Sequence, residues 1–285
     1  MSFVPNAIEI DPALNFSHAF ESTKVADKKY VLNQDTGEYL GIVGHTFNCA
    51  SHPEFFQSVW NTMTEHLPSH EMEGATLKWK SARYGTWGML EVVLPNVTHK
   101  ITTRSKHETE VAQRIISLHG IDGSCSNQVF FGAIDFFCTN GLIVGEYDKV
   151  KRKNTKNFDL KSFEKELYTK NIQFEKQMGR LQQMADTSLT GKYSVVESVV
   201  KSLMKERPAE KMLSLYKDEV ATRGNNVFAL FSAMTNYASY ADERNGFQLK
   251  ASANDNQAIT MWNRQQTVSQ WTSSKEWDYL MREAA

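Results

Sequence analysis

The sequence predicts an α+β fold, with an antiparallel sheet and one packed helix in the N-terminal half and a helical C-terminal half. Three observations carry this expectation. Between residues 28 and 147, short apolar runs alternate with turn sequences such as NQDTG and GIDGS. From Leu160 onward, apolar residues recur at three- and four-residue intervals. Where the two periods meet lies one dense basic segment, Lys149 to Lys161. The division is therefore drawn as a β-rich domain over 1–158 and a helical region over 159–285, packed on it or following it, with a single undivided domain as the alternative.

The elements follow in order. Lys29–Leu32 and Glu38–Val43 flank NQDTG, whose Asn, Asp and Gly suit a hairpin turn. Ser51 and Glu54 have the spacing of a capping box, and Phe55, Val59, Trp60, Met63 and Leu67 then follow at helical intervals up to Pro68. Ala75–Tyr84 pairs with Trp87–Leu94, which Pro95-Asn96 bounds, and Ile115–Leu118 pairs with Gln128–Phe137 across GIDGS. Val129–Phe137 is apolar on both faces, as expected of a central strand covered on both sides.

Beyond Leu160, the stripe Phe163, Leu167, Phe174, Met178 and Leu181 marks a long amphipathic helix. Val195 to Met204 forms a second. Pro208 suits the first turn of a third, which stops at Gly224. Asn226 can cap a fourth, and Trp271, Trp277 and Leu280 indicate a last one after a polar loop from Asn245 to Asn256.

With 41% hydrophobic residues the chain can bury a full core. No window reaches the ~18–20 apolar residues of a membrane span, and the N-terminus lacks the basic start and apolar core of a signal peptide. A cytoplasmic location with no membrane association is expected. Cys49, Cys125 and Cys138 are odd in number and scattered, so no disulfide is expected.

Catalytic signatures are absent or fail. Thr190-Gly-Lys-Tyr193 resembles a phosphate loop, but Asp186 replaces its first glycine and Tyr193 its magnesium-binding hydroxyl. There is no GxGxxG after a strand, no GxSxG and no HExxH. His45, Cys49 and His52 lack a fourth zinc ligand, and Pro68 breaks the spacing of His66 and His70. The reading is no enzyme, no metal and no cofactor. Asp122 belongs to an Asp-Gly turn, and Asp135, within an apolar strand, needs a cation or a backbone donor as partner.

The net charge of −1 conceals a partition. Residues 1–148 carry 10 basic and 17 acidic side chains, 149–161 carry six and one, and 162–285 carry 16 and 15. The cations Lys149, Lys151, Arg152, Lys153, Lys156 and Lys161 can neutralise phosphates; Asn154, Thr155 and Asn157 can fix them, and flanking Tyr147 and Phe158 can stack on unpaired bases. A weaker second set is Lys78, Lys80 and Arg83, with Lys78 and Lys80 on one strand face and Trp79 and Arg83 on the other. Trp79 is expected in the core.

Asp122-Gly-Ser124, Phe137-Cys-Thr-Asn-Gly-Leu142 and Arg152-Lys-Asn-Thr-Lys-Asn157, in this order and spacing, resemble the phage and plasmid family known as domain of unknown function number 932. Ala229 to Ala238 is similar to that family's C-terminal helix. Asn154 stands where many members carry a histidine, so chemistry that needs an imidazole there is not expected. The resemblance implies a bacteriophage origin and residence in an infected bacterial host. Sheet-first, helix-later order with a basic junction is similar in outline to phage single-strand annealing proteins, which implies a homo-oligomer. The expected function is binding, and annealing, of single-stranded DNA in recombination or replication. The alternative is a protein-interaction or self-assembling phage factor without nucleic-acid binding.

Overall fold

A computed structural model describes residues 4–135, 141–142, 149–154, 161–162, 174–240 and 257–284. Among them the strands form a three-stranded and a six-stranded sheet. The smaller is the antiparallel meander β1 (His18–Ser22), β2 (Lys28–Asn33) and β3 (Tyr39–Gly44). Its β2–β3 hairpin matches the expectation; β1 was not legible, because three of its five side chains are only half-buried and the other two are exposed.

Helix α1 (His52–His66) starts at the Ser51–Glu54 capping box, with both reciprocal hydrogen bonds made. It ends two residues before Pro68, and a single turn, α2 (Ser69–Met72), follows. Phe55, Phe56, Val59, Trp60 and Met63 form the buried face. Gly88 permits the contact with the sheet: a Cβ there would stand 2.9 Å from the Phe56 ring.

The large sheet runs β4 (Thr76–Ala82), β5 (Trp87–Thr102), β6 (Glu108–Gly120), β7 (Asn127–Asp135) and β8 (Gly141–Leu142), with β9 (Lys149–Arg152) also paired to β7. All its pairs are antiparallel. Pro95 does not end β5 as expected. The strand passes it through a register shift between Leu94 and Thr98, a bulge that removes the ladder position where proline has no N–H to donate. Every residue of β7 is buried, consistent with a central strand covered on both sides.

Alternate residues of this sheet meet different layers. Leu90, Val92, Leu94, Ile115, Val129 and Phe131 pack on α1. Farther along the same face, Ile101, Val111 and Ala133 enter the core of the helices α3 (Phe174–Asp186), α4 (Tyr193–Leu203), α5 (Glu206–Arg223), α6 (Val227–Tyr240) and α8 (Lys275–Ala284). The opposite face, with Trp87, Met89, Ile116, Leu118 and Phe130, packs on Trp262 of α7 (Gln257–Trp271). Helix α7 escaped the sequence reading because its buried face includes Arg264, Gln265 and Ser269, which interrupt the apolar stripe.

The helix junctions agree with the residues that signalled them. Gly224, at φ 80°, ends α5, and the Asn226 side chain accepts from Ala229 N at 2.9 Å to cap α6. Of the long amphipathic helix expected from Leu160, the part with Phe174, Met178 and Leu181 is α3; residues 163–173, the Asn245–Asn256 loop and Cys138 lie outside the described residues.

Asp135, at the end of β7, is fully buried and finds the partner that its position required. Arg223, equally buried at the end of α5, lies 2.7 Å away, and Thr109 Oγ1 donates to the same carboxylate. Arg223 Nε also donates to Glu219 at 2.8 Å. Asp135→Ala would take the nearest carboxylate from a buried guanidinium and leave Glu219 in place, so we expect a loss of about 3 kcal/mol in urea unfolding, the low end for a broken buried pair. A loss below about 1 kcal/mol, the value of an exposed pair, would contradict the clamp.

Candidate functional site

The Asp122-Gly-Ser turn between β6 and β7 is built by Asp122 itself. Its Oδ1 accepts from Ser124 N at 2.9 Å and from the Ser124 hydroxyl. Its Oδ2 accepts from Arg83 at 3.2 Å and from Thr86 Oγ1 at 3.3 Å. Ser124 Oγ in turn accepts from Trp87 Nε1 at 2.8 Å, which fixes the indole at the start of β5. Asp122 is thus a turn and anchoring residue, as its Asp-Gly context indicated.

The basic segment reaches this turn along β9, where Gln128 of β7 stands opposite Lys151. Just past the strand, the buried Asn154 side chain donates to Gly120 O at 2.7 Å and accepts from Asn127 Nδ2 at 2.6 Å. Asn154 therefore pins the segment to the ends of β6 and β7 and is not available to hold a phosphate; its burial corrects that expectation. A cleft of about 500 Å³ results. Lys151 lines it from β9 and Lys153 from just past that strand, Trp87 and Gln128 from the sheet, and Trp262 and Asn263 from α7; the turn residues Ser124 and Cys125 contribute to the wall.

The other expected contacts divide. Lys151, Arg152 and Lys153 are exposed in succession, and Arg152 donates to Lys151 O at 3.1 Å. Lys149 has its backbone paired opposite Phe130 in β9, and Lys161 is exposed. Tyr147, Lys156 and Phe158 lie outside the described residues. Lys78 and Lys80 sit on β4, the far edge of the sheet from β9. Three strands intervene, about 19 Å at ~4.8 Å per step, so the two basic sets do not share a surface at close range. Trp79 packs on Phe56, ring centroids 5.1 Å apart, in the core as expected.

Arg83 needs correction. It does not continue β4 on the Trp79 face, because it and Tyr84 adopt left-handed backbone, φ 52° and 55°, in the turn to β5. Its guanidinium is held by Asp122 instead. Trp87, Gln128, Trp262 and Asn263 were missed as site residues. The only sequence signal near them was the DGS turn, since tryptophan at a strand start reads as core.

No cluster of histidine, cysteine, aspartate or glutamate suited to a metal occurs among the described residues. Cys49 and Cys125 are free thiols. Burial pushes Cys49 up to about 12 and Cys125 well up also, so neither is a thiolate nucleophile at neutral pH. His52 sits under the sheet: its Nε2–H donates to Gly85 O at 2.9 Å, which leaves Nδ1 to accept from His119 Nδ1–H at 2.8 Å. Burial holds His52 down at about 4, and burial together with His52 holds His119 well below its usual range. Both rings are neutral core members stacked with Phe55 and Phe56.

The fold and cleft define an α+β protein with a cation-lined recess at one edge of a large antiparallel sheet. A family model described as domain of unknown function (DUF932) matches residues 40–276, and the chain belongs to that family. The matched span holds every wall of the cleft. Comparison with curated proteins and with solved structures finds no match. Among the described residues, no helix is long and apolar enough to cross a membrane.

The histidine pair generates a pH prediction. The unfolded chain protonates each imidazole near 6.5, whereas folded His52 resists until about 4, so below 6.5 the unfolded state binds more protons. Stability is complete above that window and falls by about 1.4 kcal/mol per pH unit per histidine as pH drops through it. Melting temperature measured across the window checks this, and a flat profile is the contrary result.

Proposed function

We propose that this protein binds single-stranded DNA without catalysing a reaction on it. The observation that carries the reading is the run Lys151, Arg152, Lys153: three exposed cations at the end of, and just past, a strand whose only partner among the described residues is β7, with Lys151 and Lys153 lining a cleft. Charge on an edge strand also prevents unwanted strand pairing, and that role alone would be met by cations facing open solvent. Cations that line a recess beside indole and amide groups suit a polyanion with unpaired bases. Annealing during recombination or replication of a phage genome is the finer form of this reading. It rests on the outline likeness to phage annealing proteins.

A labelled oligonucleotide should bind with an affinity that falls steeply with salt. Replacing Lys151, Arg152 and Lys153 with alanine should reduce the slope of log Kobs against log salt by about 2, at ~0.7 per phosphate contact on a single strand. Absence of binding at low salt ends the reading.

A second reading, self-assembly through the N-terminal segment, is favoured by one observation. Tyr30, Tyr39 and Ile42 are exposed on the small sheet, with Tyr30 and Tyr39 in edge-to-face contact at 5.7 Å. A second copy is the expected occupant, since the acidic N-terminal segment and the basic β9 region are complementary in charge. Light scattering without DNA should then report an oligomer that Tyr39→Ser with Ile42→Ser dissociates. A monomeric wild type excludes it.

A further inference from the structure

Lys151 and Lys153 line the cleft with no ion pair to either among the described residues. The carboxylate at the turn, Asp122, is occupied by Arg83, Thr86 and the Ser124 hydroxyl. The remaining walls are of another kind. Trp87 is locked by its bond to Ser124, and Trp262 is locked edge-on against Phe130 with centroids 4.4 Å apart. Asn263 adds a carboxamide, which can both donate and accept, and Gln128 adds one whose Nε2 donates to Ser126 O and whose Oε1 accepts from Gln266, both at 3.5 Å. At about 500 Å³ the space lies within the range that small ligands fill.

Fixed aromatic walls, adaptable amides and two uncompensated cations are complementary to one chemical class: a flat heteroaromatic ring that carries a phosphate. We propose that the cleft receives one nucleotide unit, its base among Trp87, Trp262, Gln128 and Asn263 and its phosphate held by Lys151 and Lys153. A base paired in a duplex has its polar edge engaged and both faces stacked, so it cannot enter; an unpaired one can. The proposal rests on the single-strand reading and adds to it a contact with the base. The nucleotide belongs either to a strand or to a free pool, and the two sources are separable.

Oligothymidylate, an abasic oligonucleotide of the same length and thymidine monophosphate are titrated in turn, with binding and tryptophan emission followed together. Occupation of the cleft predicts a saturable quench by oligothymidylate that Trp262→Phe diminishes, and at least about fivefold weaker binding of the abasic strand. Asn263→Trp, at an exposed position in the cleft lining, should abolish the preference for bases. Equal binding of the two strands, without quenching, overturns the cleft proposal and leaves the single-strand reading standing. Quenching by the mononucleotide, lost in Asn263→Trp, with neither strand bound, supports the cleft as a free-nucleotide site and overturns the strand reading. No response to any probe overturns both.

Discussion

The buried pair Asp135–Arg223 is the constraint on which the architecture depends. Neither charge has access to water, and an isolated buried ion would cost several kcal/mol, so the end of β7 and the end of α5 must meet for the fold to be tolerable. Around this joint the other groups fall into place. Ser105 Oγ and Asn226 Nδ2 both donate to Arg223 O, joining the turn after β5, the last turn of α5 and the cap of α6. The apolar core follows: Ile101, Val111 and Ala133 of the sheet are packed among residues of the helices.

A second ionic clamp works on the opposite face. Arg114 of β6 donates to Glu91 of β5 at 2.9 Å, and the Gln265 carboxamide of α7 meets the same guanidinium. Burial would raise Glu91, but Arg114, helped by Lys78 and Lys80, holds its carboxyl below the usual range. The clamp positions α7 and hence the indole of Trp262, which completes the cleft. Lys78 and Lys80 do not line the cleft.

Much of the fold was legible in local chemistry. Ser51 with Glu54, Pro68, Gly224 and Asn226 each carry a backbone consequence that depends on a few neighbours only, and each helix boundary they signalled is where the chain turns. The apolar run of β7 showed a doubly covered strand for the same reason. What failed were positions whose meaning depends on distant partners. Pro95 stops a strand unless a bulge absorbs it, and α7 shows no clean stripe because its buried face carries Arg264, Gln265 and Ser269, of which Gln265 answers Arg114. Arg83 follows strand alternation only until the backbone turns left-handed.

The basic segment at the sheet–helix junction was determined by the sequence alone, as were the Asp122 turn and the need of Asp135 for a cation, since charge, turn geometry and desolvation are properties of residues and their neighbours. Only the tertiary structure decided which cation answered Asp135, that Asn154 is a structural pin, and that Lys151 and Lys153 share a recess with Trp87 and Trp262. Those groups lie on β5, on β9 and just past it, and on α7, more than a hundred residues apart at the extremes, and only the pairing register of the sheet and the clamp on α7 bring them together.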